Sequence, residues 1–113
     1  MTAPADSADL DVRVEATGGT CTVTVTGDVD ATSAPVLADR LVRLLTHPGE
    51  RDVQLDLRGV TFLDSAGLTS LIAAHRCAEG VGRVLRMRCG TTRAVVRPLE
   101  ITGLTTVFTI IDR

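Results

Sequence analysis

From Thr20 to the end of the chain, stretches with the two-residue period of a strand alternate with stretches of helical period, and this limits the available folds. Cys21, Val23 and Val25 alternate with Thr20, Thr22, Thr24 and Thr26, whose β-branched side chains suit a pleat. Leu37, Leu41, Leu44 and Leu45 then follow helical spacing. Val53, Leu55 and Leu57 return to the strand period, and Leu68, Leu71 and Ile72 to the helical one. Val84, Leu85, Met87 and Cys89 predict a strand, Val95, Val96 and Leu99 a helix, and Val107, Phe108, Ile110 and Ile111 a last strand. Before all of this, Val12 and Val14 alternate with charged residues. Gly18-Gly19 joins that run to the next as a β-hairpin. The order β-β-α-β-α-β-α-β predicts an α/β fold with a mixed, mostly parallel sheet of about five strands. The first strand is antiparallel, and three to four helices pack against the sheet.

The boundaries are written in the same code. Thr32 or Ser33 can cap the first helix, Pro35 suits its first turn, and His47-Pro48-Gly49 ends it. Gly80-Val81-Gly82 ends the second helix. Gly90-Thr91-Thr92 opens the third, Pro98 should kink or split it, and Gly103 closes it. Gly27-Asp28-Val29-Asp30 breaks the second strand. Residues 1–9 are small and acidic and read as a loose tail before a single domain over residues 10–113. That length supports a core without disulfides or metals.

Several function classes are disfavoured. The net charge is −2 and all twelve basic residues are Arg, a bias of codon usage and not a nucleic-acid footprint. Phe62 and Phe108 are the only aromatics, too few for a base-stacking surface. Cys21, Cys77 and Cys89 are odd in number and lack CxxC spacing, so buried free thiols are expected, without a disulfide framework or a zinc site. No run is long and apolar enough to span a membrane, and residues 1–10 lack the apolar segment of a leader, which points to the cytoplasm.

The chemistry concentrates in Val60-Thr61-Phe62-Leu63-Asp64-Ser65-Ala66-Gly67-Leu68, where a strand turns directly into a helix. With Asp64 as N-cap, Leu63 and Leu68 occupy the positions of a hydrophobic staple. Ser65 is then the first helical residue, with a free, exposed hydroxyl where unpaired N–H groups favour anions. Gly67 at the third position implies that something packs close to the backbone, either the sheet or a partner. Asp28 and Asp30 follow a neighbouring parallel strand. Three carboxylates and one serine therefore share the carboxyl edge of the sheet, where sites of open α/β sheets lie. A magnesium cluster, an acidic rim and ordinary turn residues all fit that set.

Ser65 is poorly placed as a nucleophile. The segment is not GxSxG, and His75 is ~15 Å along the same helix, too far to act as its base. No phosphate-binding glycine loop is present, so the chain is not expected to be an enzyme or to bind a cofactor. A serine that accepts a phosphoryl group from another protein remains. The added charge would be tolerated by the helix N-terminus and felt by a docked surface.

Asp56-Leu57, Val60 and Phe62 to Leu68 resemble the signature of the STAS domain, and more narrowly of the anti-sigma factor antagonists. Gly27-Asp28-Val29-Asp30 resembles that family's Gly-acid-x-Asp turn, and Ile101-Thr102-Gly103-Leu104 its closing Gly-Leu segment. The resemblance covers about residues 10–111. It implies a STAS fold and phosphorylation of Ser65 by an anti-sigma factor that is an ATP-dependent serine kinase. A phosphatase resets the protein, and Asp28, Asp30, Asp64, Ser65, Ala66, Gly67 and Leu68 form the partner-binding surface. Ala66 replaces a second serine common in the family, which leaves Ser65 as the acceptor. The alternative is a non-switching STAS subunit of lipid-transport or stressosome type. A transporter tail would need transmembrane helices, and a small hydrolase would need a base.

Overall fold

The computed structural model describes residues 10–47 and 52–112. β1 (Leu10–Thr17), β2 (Thr20–Val29), α1 (Ala34–Thr46), β3 (Asp52–Leu63), α2 (Ser65–Gly80), β4 (Leu85–Arg88), α3 (Arg93–Thr102) and β5 (Thr109–Ile110) follow in sequence. A 3-10 turn over Leu104–Thr106 precedes β5. The five strands form one sheet in chain order. β1 is antiparallel to β2 and every later pairing is parallel, as the alternation predicts. Thr17 pairs with Thr20, so Gly18-Gly19 is a two-residue hairpin turn, and Gly18 supplies its positive φ of 59°.

Register places the core on one face. Cys21 pairs with Val53 and Val53 with Leu85, while Val23 pairs with Leu55 and Leu55 with Met87. All are buried, beneath Leu37, Leu41 and Leu45 of α1, Leu71, Ala74 and Ala78 of α2, and Val95 and Leu99 of α3. Arg83 closes the far end of α1. Its guanidinium donates to the Leu44 carbonyl at 3.3 Å and to the His47 carbonyl at 2.6 Å, groups that a helix end leaves without internal partners. His47 is the C-cap, whereas Pro48-Gly49 and the expected tail at residues 1–9 lie outside the described residues. Cys21 and Cys89 are buried and all three thiols are free. Among the described residues, no helix is long and apolar enough to cross a membrane.

Four details differ from expectation. β2 does not break at Gly27 but continues to Val29. At two register shifts β3 carries one residue more than β2, and Gly27 adopts a φ of 101°, so the strands bend together and stay paired. The buried stripe of α2 is Gly67, Ser70, Leu71, Ala74 and Ala78, with Leu68 and Ile72 half-buried at its flanks, because small residues bring the helix close to its neighbours. Pro98 does not split α3. It removes one backbone bond, that to the Ala94 carbonyl, from a helix held down by the buried Val95 and Leu99. The last strand shrinks to two residues, since the Val107 and Phe108 N–H groups both turn back to the Leu104 carbonyl at 3.0 Å.

Leu41, on the buried face of α1, is fully buried. Leu41→Ala is expected to destabilise the protein by about 2–5 kcal/mol through lost transfer energy and a residual cavity. Urea unfolding followed by circular dichroism checks this, and an unchanged midpoint would show that the site collapses without cost.

Candidate functional site

β2 and β3 end side by side, with Val29 paired to Leu63. The Asp64 N–H then donates to the Val29 carbonyl at 3.3 Å, so the loop entering α1 and the turn entering α2 leave the sheet from one point. This is the carboxyl edge of the parallel strands, and it brings Asp28, Asp30, Asp64 and Ser65 together as expected.

Asp64 caps α2. Its backbone is extended (φ −103°, ψ −169°), and its Oδ1 accepts the Gly67 N–H at 3.0 Å. Ser65 is the first residue of the helix and is exposed. Its carbonyl accepts the Thr69 hydroxyl at 2.9 Å, whereas its own hydroxyl has no protein partner among the described residues. The close approach at Gly67 is made by the sheet. A Cβ there would collide with Leu63 Cδ1 and stand 2.8 Å from the Val29 carbonyl oxygen. Gly67 is buried, so it belongs to the site through the backbone position it permits. Ala66 and Leu68 are half-buried beside it.

The loop before α1 is organised differently from the simple cap that the sequence suggests. Ser33 occupies the N-cap position but its side chain caps nothing ahead of it. Fully buried, its hydroxyl donates to the Asp28 carbonyl at 2.8 Å and accepts the Asp30 N–H at 3.0 Å. Asp30 supplies the acceptor for the turn, its Oδ1 receiving the N–H groups of Thr32 at 3.0 Å and Ser33 at 3.1 Å. The Ser33 N–H, aided by the Thr32 N–H and the Ser33 hydroxyl, holds the Asp30 carboxyl below its ordinary 3.8, against an opposing effect of burial. Asp28 accepts the Thr61 hydroxyl at 2.7 Å, a bond that spans the two strand ends. The residues offer Ser33 only as a helix cap, and nothing in the sequence marks Thr61. A serine three residues after an Asp in a loop was a signal for the first, but the cross-strand bond of Thr61 depends on register.

Each carboxylate is thus committed to local donors. Among the described residues, no group of three His, Cys, Asp or Glu side chains could hold a metal ion, so the magnesium reading finds no support here. His75 lies edge-on to Phe108, with ring centroids 5.5 Å apart, and its Nε2 is 3.5 Å from Glu79, both remote from Ser65 along α2. Burial, with Asp112 and Asp56 nearby, pushes the Cys89 thiol up to about 11, so it is a neutral core group and not a nucleophile.

The family model described as Mlab, STAS domain matches residues 12–111. A protein of Bacillus subtilis (strain 168) named anti-sigma-B factor antagonist is 28% identical over 102 residues, covering 90% of this chain and 91% of that protein. The crystal structure of an anti-sigma factor antagonist from Mycobacterium paratuberculosis matches with a TM-score of 0.80 at 25% identity, over 96% of this chain and 91% of that one. The phosphorylated form of SpoIIAA, a Bacillus cell fate determinant, shares the fold with a TM-score of 0.70 at 14% identity, over 91% of each chain.

Two stability measurements follow from the site. Gly67→Ala forces a methyl against backbone and is expected to cost about 1–3 kcal/mol, although alanine is the better helix former. A rise in the urea midpoint would contradict the close seating. Asp30, with its lowered pKa, stabilises the fold fully above 3.8 and loses that contribution as pH falls through the folded value. The difference in stability between wild type and Asp30→Asn should therefore shrink between about pH 6 and about pH 3, as urea titrations at each pH will read.

Proposed function

The chain belongs to the STAS domain family, and on that premise we propose that it is an anti-sigma factor antagonist switched at Ser65. Unphosphorylated, it binds an anti-sigma factor that is itself a serine kinase, and so frees a sigma factor. Phosphorylation of Ser65 by that partner, with ATP held by the partner, ends the interaction, and a phosphatase restores it. The chain receives the phosphoryl group and performs no catalysis.

The observation that carries this reading is the exposed Ser65, whose hydroxyl has no protein partner among the described residues, on a helix start that Asp64 caps. A phosphoryl group adds about −1.5 to −2 charges at neutral pH. The free N–H groups of the first turn of α2 favour that charge, while Asp28, Asp30 and Asp64 oppose it. These effects act in opposite directions, so the fold should change little. A docked partner faces a different balance. The hydroxyl must lie against the partner's ATP to accept its terminal phosphoryl group, and a phosphate there meets bulk and like charge in a site that excludes water. Asp28, Asp30, Asp64, Ala66 and Leu68 lie at the same strand ends and helix start as Ser65 and form the proposed binding surface, with Gly67 setting its height. The similarity to proteins named as anti-sigma factor antagonists supports the partner class.

The test uses purified anti-sigma factor kinases of the source organism with radiolabelled ATP. One of them is expected to label the wild type, and Ser65→Ala to abolish labelling while retaining binding. Ser65→Asp should bind at least tenfold more weakly, and equal affinity would rule out the charge switch. Stable binding without any phosphoryl acceptance would point to the alternative, a non-switching STAS subunit of lipid-transport or stressosome type.

A further inference from the structure

Phe62 is the one large apolar side chain left half exposed, at 49%, where β2 and β3 end. The other aromatic residue, Phe108, is buried at 4%, so exposure is not the general fate of phenylalanine in this fold. The remaining exposed large apolar residues, Val14, Val81, Val84, Ile101, Val107 and Ile111, lie on β1, in the α2–β4 connection, on α3 and beside β5. Phe62 pairs in register with Asp28 and stands next to Thr61, whose hydroxyl holds the Asp28 carboxylate. Asp64 and Ser65 follow within three residues.

The charge around it is one-sided. Asp28, Asp30 and Asp64 each use Oδ1 to order the loops, and in each case Oδ2 has no protein partner among the described residues. None of the three joins an ion pair there, although Asp11, Asp39, Asp52, Asp56 and Glu79 all do. A half-exposed aromatic beside unneutralised carboxylates has the composition of an interface anchor with a polar rim.

We propose that Phe62 is the apolar anchor of the antagonist's docking surface, and that the anti-sigma factor receives it in an apolar pocket bordered by Arg or Lys side chains. This rests on the antagonist reading above and adds the chemistry by which the partner is gripped. Phe62 supplies desolvation energy without taking part in the transfer, and the free Oδ2 atoms accept the partner's cations. Ser65 alone faces the nucleotide. Binding energy from an anchor that takes no part in the transfer acts equally on the bound complex and the transition state, so it lowers KM without changing kcat.

The experiment measures affinity by isothermal titration calorimetry and Ser65 phosphorylation kinetics, both with the anti-sigma factor kinase that labels the wild type. Phe62→Ala and Phe62→Thr, the latter keeping strand propensity if the former unfolds, are compared after thermal melts establish that they fold. At least a tenfold loss of affinity and a matching rise in KM with kcat retained are expected. Wild-type affinity should fall from about 50 to about 500 mM salt, and Asp28→Asn/Asp30→Asn should flatten that dependence. Undiminished affinity of both folded Phe62 variants overturns the anchor, and salt-independent binding overturns the basic border. If no anti-sigma factor binds the wild type at all, the antagonist reading itself fails and this inference with it.

Discussion

The seating of α2 on the ends of β2 and β3 is the constraint on which the rest of the structure depends. Val29 and Leu63 pair as the last residues of two parallel strands, and the Asp64 N–H reaches back to the Val29 carbonyl. The helix can begin there only because Gly67 has no side chain to strike that carbonyl and Leu63. Asp64 then satisfies the Gly67 N–H and starts the helix without an intervening loop. Ser65 follows as the first residue of a helix that cannot recede, and so its hydroxyl projects from a fixed surface. Moving the helix outward by a methyl would loosen both its packing and the placement of that hydroxyl.

The neighbouring loop achieves order by another route. Ser33 is buried and bonds backward to the backbone of Asp28 and Asp30, while Asp30 bonds forward to Thr32 and Ser33. The reciprocal bonds leave few polar groups unpaired in a tight turn, which is the condition for rigidity without a metal or a disulfide. The Asp28–Thr61 bond fastens this loop to β3. The acidic edge is thus preorganised in the free protein. Asp30 and Asp64 accept backbone N–H groups and Asp28 the Thr61 hydroxyl, and Ser65 lies on the same edge.

Much of this was legible in the residues. Periodicity identified the eight main elements and their order, and the Asp64 cap and first-position Ser65 followed from spacing alone. What was not legible shares a cause. Pro98 predicted a kinked or split helix, but α3 is not split, because burial of Val95 and Leu99 outweighs one lost hydrogen bond. Val107 and Phe108 fit a strand pattern, yet the tight turn on the Leu104 carbonyl delays the pairing until Thr109. Leu68 and Ile72 predicted the wrong centre for the buried face of α2, because glycine, serine and alanine can approach more closely than leucine.

By itself, the sequence determined the fold class, the strand–turn–helix at Asp64 and the candidate role of Ser65, since these rest on local period, capping chemistry and the glycines. Only the tertiary structure decided that the sheet occupies the space against Gly67, that Asp28 is tied to Thr61 across strands, and that Phe62 stays half exposed while Phe108 is buried. The division has a physical reason. Local rules act between residues a few positions apart, whereas these features depend on a parallel register that brings residue 28 beside residue 62. Two bulged register shifts in β3 set that pairing, and no short-range pattern specifies where they fall.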